Sequence, residues 1–430
     1  LVYYMEMPKQ KIKQNVHQYN QLYKYGEDIS IFNTEGETPE ETDSQYRRKS
    51  ILTKYMGVTG QVTHPAMIAE YNGIDNKTIL LQTLIDTALT SADSSCVDIE
   101  FDGVFRQHML GVNEMDGGTA EGKTSEQLLD GYFNSPAVID AQNQVLNDKM
   151  IQDASNVVVN VYNGYIDRII SNPIVFNNYV QQFHESKRVI VGLAASVTGA
   201  TMGQSVNDVT TQFGKINIKN DRFFDVRKPI RVGKGASSPK APVVPTAGTA
   251  IKVNNADTKT NFGRHAGAYG YLVTAKNRYG ESAPLNITSA GAQAVTATQS
   301  VEFGVTAGVG GAYAASSFVI YRTKKDVVLN DTTEYFPIFE VPVSQMATGY
   351  DGAAANCVRD RNRIIAGTKS ALVYYNDSQI NEYLQFSDTV KMDFAVTAPS
   401  RRFCILNYGT PVLYQPAKIV RIVNIGDEGL

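Results

Sequence analysis

Residues 117–124 read GGTAEGKT and satisfy the phosphate-loop formula GxxxxGK[ST] through Gly117, Gly122, Lys123 and Thr124. In a working phosphate loop, backbone N–H groups cradle the phosphates, the lysine reaches the terminal ones and the threonine holds magnesium. A helix starting at Thr124 would add its positive N-terminal end. That chemistry requires a buried apolar strand before the loop. What precedes it is MLGVNEMD (109–116), with Asn113, Glu114 and Asp116 where the strand should be, and Val138-Ile139-Asp140 is too short to supply a metal-binding Asp. The plain alternative is a Gly-rich surface loop followed by a capped helix.

Other reactive side chains do not assemble along the sequence. Cys96, Cys357 and Cys404 form neither a disulfide framework nor a CxxC metal motif, and they fit a reducing compartment during folding. His17, His64, His108, His184 and His265 never fall at HxxxH spacing. No GxSxG is present, and the paired carboxylates Glu40-Glu41 sit in a polar stretch rather than a pocket-forming one. Asn76, Asn286 and Asn330 open glycosylation acceptor triplets, which carry meaning only behind a secretory signal, and no signal peptide is read here. Arg227, Lys228, Arg231 and Lys234 form a small basic cluster, readable as solvated charge or as contact with an acidic surface or a subunit interface. The expectation is therefore no catalytic, cofactor-binding or metal-ligating residue, no bound cofactor, and a protein that is not an enzyme.

The totals agree with a globular, non-membrane chain. At 430 residues with 43% hydrophobic and 19% charged content, the chain is long enough for about two or three cored domains. A net charge of −3 exerts no global pull toward nucleic acid or an anionic membrane. No apolar run reaches the roughly 18 residues that span a bilayer. Tyrosine is abundant at 24 with no tryptophan, a composition suited to extensive half-polar interfaces. The sequence opens at Leu1 rather than Met, which fits either a trimmed chain or removal of an upstream segment.

Along the chain, residues 1–50 read as an extended arm, with acidic Glu35–Asp43 followed by Arg47-Arg48-Lys49, either solvated or lying on a neighbour. Residues 50–64 alternate around Gly57 and Gly60 as a hairpin or long loop. A helix is expected over 75–91, capped by Asp75 or Asn76, with Leu81, Leu84, Ile85 and Ala88 as its apolar stripe. A strand at 96–101, a helix from Thr124 to Leu129 and a longer helix through Val145, Met150, Ala154, Val157, Val158 and Val161 follow, the last stopping at Asn163-Gly164. A short helix at 174–183 and strands at 187–193 and 213–219 come next. The Gly/Ser/Pro/Ala-rich stretch 233–250 is a linker. Beyond it, YLVTAKNRYGESAP (271–284), Val301-Phe303-Val305, FVIYRT (318–323) and YFPIFEVPV (335–343) read as the strands of a β-sandwich of about 110 residues. The chain closes in at least two strands within 401–426, joined at Tyr408-Gly409.

The order of these features resembles the major capsid protein of tailed bacteriophages, the Hong Kong 97 capsid fold. ADSSCVDIEFDGVF (92–105), GVNEMDGGTAEGKTSEQLL (111–129), YIDRIISNPIVFNNYVQQF (165–183), TQFGKINIKNDRFF (211–224) and PVLYQPAKIVRIVNIG (411–426) carry the resemblance in sequence order. YLVTAKNRYGESAP is similar to the strand-and-turn signature of fibronectin type III and immunoglobulin-like modules, here without the usual core Trp or cysteine pair, so Tyr271, Phe303, Phe318, Tyr321 and Phe339 must fill that core.

The resemblance implies an α+β fold. Its parts are an N-terminal arm (1–46), an extended loop (47–64), a capsid body with spine helix, peripheral and axial domains (65–235), an immunoglobulin-like insertion (236–356) and a C-terminal return to the body (357–430). It implies a shell protein of the virion, assembled in the host cytoplasm. Its partners would be copies of itself in hexamers and pentamers, with decoration or cement, portal and scaffolding proteins as further candidates. The shell would enclose double-stranded DNA without sequence-specific binding, and there would be no membrane partner. The competing readings are a phosphate-loop nucleotide hydrolase and an adhesion or surface-layer protein.

Overall fold

A computed structural model describes residues 2–24, 43–64, 73–89, 99–115, 118–182, 207–254, 257–346, 356–395 and 400–428, with the side chains of 63 and 73–76 outside the description. Its described residues form a mixed α/β protein in which three larger sheet systems each carry an apolar cluster.

The first sheet is organised by one long strand, Ser400–Leu413. Lys54–Thr63 runs antiparallel along one edge, from Thr63 opposite Ser400 to Lys54 opposite Gly409. Val390–Asp393 and Asn381–Gln385 share the other edge, and Lys9–Lys11 adds in parallel to Asn381–Gln385. The helices Gly73–Leu89 and Val104–Glu114 bury Leu81, Ile85 and Phe105 in the same cluster as Tyr3, Tyr383, Phe403 and Ile405. Burying a side chain such as Phe105 contributes about 2–3 kcal/mol.

The second sheet runs Val138–Asp140, Val420–Ile425, Lys369–Tyr374, Arg168–Ser171, Gly214–Asn220 and Asp208–Thr211, mixing parallel and antiparallel pairs. Helices Asp148–Asn156 and Pro173–Gln181 cover it. Both start on asparagine caps: Met150 N donates to Asn147 Oδ1 and Ile174 N to Asn172 Oδ1. Pro173 follows its cap at N1, where its missing N–H costs nothing.

The third system is all β. Tyr271–Asn277, Ser317–Arg322 and Phe336–Pro342 form one antiparallel sheet, while Lys252–Asn254, Ser300–Thr306 and Cys357–Asp360 form another. Tyr271, Val273, Phe318 and Ile320 of the first share a core with Val301, Phe303, Val305 and Val358 of the second. The Tyr271 and Phe303 ring centroids lie 5.5 Å apart. The turn at 277–280 works as its residues dictate: Asn277 Oδ1 accepts from Tyr279 N and Gly280 N, and Gly280 takes φ +150°.

Several sequence expectations change. The 50–64 segment is not a hairpin. Gln45–Leu52 pairs back onto Val16–Lys24, and Lys54–Thr63 pairs onto the C-terminal strand instead, so the boundary expected at 46/47 falls inside a strand. The 75–91 helix begins at Gly73, which puts Asp75 and Asn76 inside its first turn rather than at its cap, and Leu84 faces outward while Leu81 and Ile85 face in. No strand forms at 99–101, and residues 96–98 of that expectation lie outside the described residues. Val145 precedes its helix, whose last turn is a π-turn over Val157–Val161; the stop at Asn163-Gly164 holds, with Asn163 at φ +48°.

Tyr321 faces away from the expected core. Strand alternation puts it with Leu272, Val319 and Ile230 on the sheet's other side. The last strand does not break at Tyr408-Gly409; the link to Val420–Ile425 is the short 3₁₀ turn Pro416–Lys418. Gly409 is there for clearance, because a Cβ at that position would meet the Tyr383 ring at 2.5 Å. The boundary expected at 356/357 also moves, since Cys357–Asp360 is hydrogen-bonded into the all-β system. The 187–193 strand lies outside the described residues.

Candidate functional site

The phosphate-loop match does not form a phosphate loop. The segment connects helix Val104–Glu114 to helix Ser125–Phe133, so a helix stands where the apolar strand is required. Gly117 lies outside the described residues. Thr124, the residue that would hold magnesium, is the helix cap: its Oγ1 accepts from Gln127 N at 3.3 Å, and its own N–H donates to Gln127 Oε1 at 3.1 Å. Gly122 at φ +75° serves the turn that leads into the cap.

The remaining candidates stay dispersed. Among the described residues no group of His, Cys, Asp and Glu could hold a metal ion. His108 is a buried link: Nε2 donates to Ile419 O and Nδ1 accepts from Tyr132 Oη, both at 2.8 Å. Burial pushes its pKa down to about 3, so the ring stays neutral. Cys357 and Cys404 are buried and form no disulfide with each other. Cys96, His184 and Glu40-Glu41 lie outside the described residues, as does the side chain of Asn76. Asn286 and Asn330 each accept local turn hydrogen bonds, from Thr288 N and Thr332 N.

The basic cluster near 227–234 lines a cleft of about 1170 Å³ between that segment and the all-β system. Its charge is largely matched. Arg227 meets Asp225 at 2.9 Å, Arg231 meets Glu334 at 3.2 Å and Lys234 meets Glu281 at 3.0 Å. Glu281 and Glu334 belong to the all-β part, so the acidic surface this cluster meets lies within the same chain.

A second charged seam was missed from the sequence. In RDRNR (359–363) alternate residues part company. Asp360 and Asn362 turn inward to Arg322, while Arg359, Arg361 and Arg363 turn toward helix Ser125–Phe133. Arg359 reaches Glu126 at 2.9 Å and Glu302 at 3.1 Å. Arg361 bridges Asp130 at 2.5 Å and Asp257 at 2.7 Å and also contacts Glu126; Arg363 meets Asp130 at 3.2 Å. The seam fastens the helix after the false phosphate loop to the β system. The period-2 spacing of its arginines was the available signal.

The other feature with functional content is surface. Among the described residues, Val16–Lys24 and Gln45–Leu52 form a two-stranded ribbon whose strands pair with each other and no further strand. Among the described residues it is held on one face, toward its Lys24/Gln45 end: Leu22 N donates to Tyr414 O at 3.2 Å, Gln21 Nε2 to Leu413 O at 3.1 Å, and Lys49 and Arg47 reach Glu114. Val16, Tyr46 and Leu52 are 44%, 59% and 49% exposed. Ile79, Leu80 and Leu84 on the outer face of helix Gly73–Leu89, and Val390 and Met392 on the open edge strand, are also exposed. A lone two-stranded ribbon is at best marginally stable in water, so these strands need a further surface to lie on. No helix among the described residues is long and apolar enough to cross a membrane.

No family model matches the chain, and no curated protein matches it. Among solved structures it is similar to the capsid of a native GTA particle, at 6% identity and TM-score 0.42, covering 98% of this chain and 89% of that one. It is similar to the capsid of the cyanophage P-SCSP1u, at 8% identity and TM-score 0.38, covering 97% and 86%. It is also similar to a virus-like particle from Pyrococcus furiosus, at 5% identity and TM-score 0.36, covering 97% and 90%. At such scores the functional reading rests on the chain's own geometry.

Proposed function

We propose that this chain is a shell-forming structural protein, a major capsid protein of Hong Kong 97 type whose copies associate as hexamers and pentamers around double-stranded DNA. The observation that carries the reading is the ribbon of Val16–Lys24 and Gln45–Leu52, one face of which, with Val16, Gln18, Asn20, Arg48, Ser50 and Leu52, stays exposed. A second copy of the chain would supply the surface it needs, by main-chain pairing and apolar contact. The outward Leu80 and Leu84 support the same requirement. On this reading the all-β system is an immunoglobulin-like insertion on the outer face of the shell, and the protein resides in the virion. Decoration, portal and scaffolding proteins are its further partners.

Electron microscopy of the concentrated, purified chain tests the proposal. Closed particles or capsomers are expected from the wild type. Leu80→Glu combined with Leu84→Glu, both outward-facing, should leave a folded monomer that does not assemble. A wild-type chain that stays monomeric at high concentration sinks the reading.

A further inference from the structure

A cleft of about 350 Å³ opens where the all-β system meets helix Pro173–Gln181 and the end of strand Val420–Ile425. That size suits a small ligand rather than a macromolecular segment. Arg264, Lys324 and Lys325 line it from the β side. None of their side chains has an ion-pair or hydrogen-bond partner among the described residues. This contrasts with the cleft at 227–234, where cations are matched by carboxylates. Lys369 adds a further positive charge, its Nζ donating to Asp225 O at 3.0 Å. Asp427 and Glu428 also line it and make no ion pair with these cations. The lining therefore stays net positive within a chain whose total charge is −3.

The three cations are exposed at the rim of the cleft, and two details mark its floor. Lys324 crosses over Gly367, which sits at φ +84°; a Cβ there would meet Lys324 Cε at 2.7 Å. His265 forms part of the wall, more than nine-tenths buried, with Nε2 lacking a hydrogen-bond partner. Burial lowers its pKa; Glu428 and Asp140 oppose that, while Arg322 and Lys325 add to it. Unpaired cations converging on a small cleft suit an anion with several charged oxygens. We propose that this cleft binds a small, multiply charged phosphate-type anion, such as pyrophosphate or a phosphate monoester, between the β system and the body.

The test is calorimetric titration of the full-length chain with inorganic pyrophosphate at fixed ionic strength in metal-free buffer. Saturable binding of one anion per chain is expected. Lys324→Gln with Lys325→Gln, and separately Arg264→Gln, should each weaken it by about tenfold or more. Lys149→Gln, at an exposed helix position outside the cleft, should leave it unchanged. Unaltered melting of the variants would confirm that they fold. Absence of saturable binding by the wild type overturns the proposal, as does equal binding by all variants. Short duplex DNA, rather than pyrophosphate, binding in a manner dependent on these residues would overturn the small-anion assignment.

Discussion

Arg322 Nη1 lies 2.5 Å from Asp360 Oδ2 in the interior of the all-β system, with side-chain exposures of 1% and 3%. Tyr271 Oη donates to the same carboxylate oxygen at 2.9 Å, and Arg322 Nη2 donates to Asn362 Oδ1 and Ile364 O. The guanidinium also sits over the Tyr269 ring, 4.9 Å from its centroid. A buried cation held this way is costly to orphan. Asp360→Asn should destabilise the protein by about 3–5 kcal/mol, and replacing both partners by apolar residues should cost less. Urea unfolding of the two variants reads the difference; an equal or larger loss in the double variant would contradict it.

Lys123 and Thr124 separate a structural loop from a catalytic one. Thr124→Ala removes a cap and should cost about 1 kcal/mol. Lys123→Ala should change stability by no more than about 0.5 kcal/mol. Neither variant nor the wild type should bind magnesium-ATP at this loop in a titration. Nucleotide binding that disappears with Lys123 would revive the hydrolase reading.

Asp86 and Asp221 tie the N-terminal segment to the body. Tyr4 N donates to Asp86 Oδ1 at 3.1 Å and Tyr3 N to Asp221 Oδ2 at 2.8 Å. Burial, then the Asp221 carboxyl beside it, pushes the Asp86 pKa up to about 7. Asp221 is lowered: burial opposes this, but the hydrogen bonds from Asp86 and the backbone prevail. The folded chain thus keeps a proton on Asp86 that the unfolded chain releases near 3.8. Stability from this group is complete below that value and is lost as pH rises toward 7. Melting temperatures between pH 4 and pH 8 should fall less steeply in Asp86→Asn. Parallel wild-type and variant curves would refute the assignment.

Arg361 joins Asp130 of one helix to Asp257 of the β system. Arg361→Ala leaves the buried Asp257 carboxylate without its cation and Asp130 with Arg363, and should cost about 2–4 kcal/mol. Hydrogen exchange should quicken across 125–133 well before the strands at 271–277. Uniform loss of protection would argue against a local fastening.

Much of the architecture was legible because local chemistry fixed it. The Thr124 cap, the short helix after Pro173 and the Asn163-Gly164 stop lie where local side-chain preference and the fold agree, whereas the alternation at 301–305 does not mark a half-exposed strand, since Glu302 is buried too. Gly409 misled because glycine marks both turns and close approaches, and only the Tyr383 ring, distant in sequence, decides between them. The 45–63 segment misled because pairing partners are long-range: two successive strands separated by Thr53 belong to different sheets. The arginine seam was hidden for the same reason, since its carboxylates come from positions 126, 130, 257 and 302.

Lys54–Thr63 begins one residue after the ribbon ends, and it lies antiparallel to Ser400–Gly409 over its whole length. A pull along the ribbon would therefore be carried in shear by an entire ladder of hydrogen bonds at once, instead of peeling them one by one. Tension along Gln45–Leu52 would pass through Thr53 into Lys54–Thr63 and from there across the ladder to the long strand of the first sheet, making the ribbon a strap that is sewn in, not glued on.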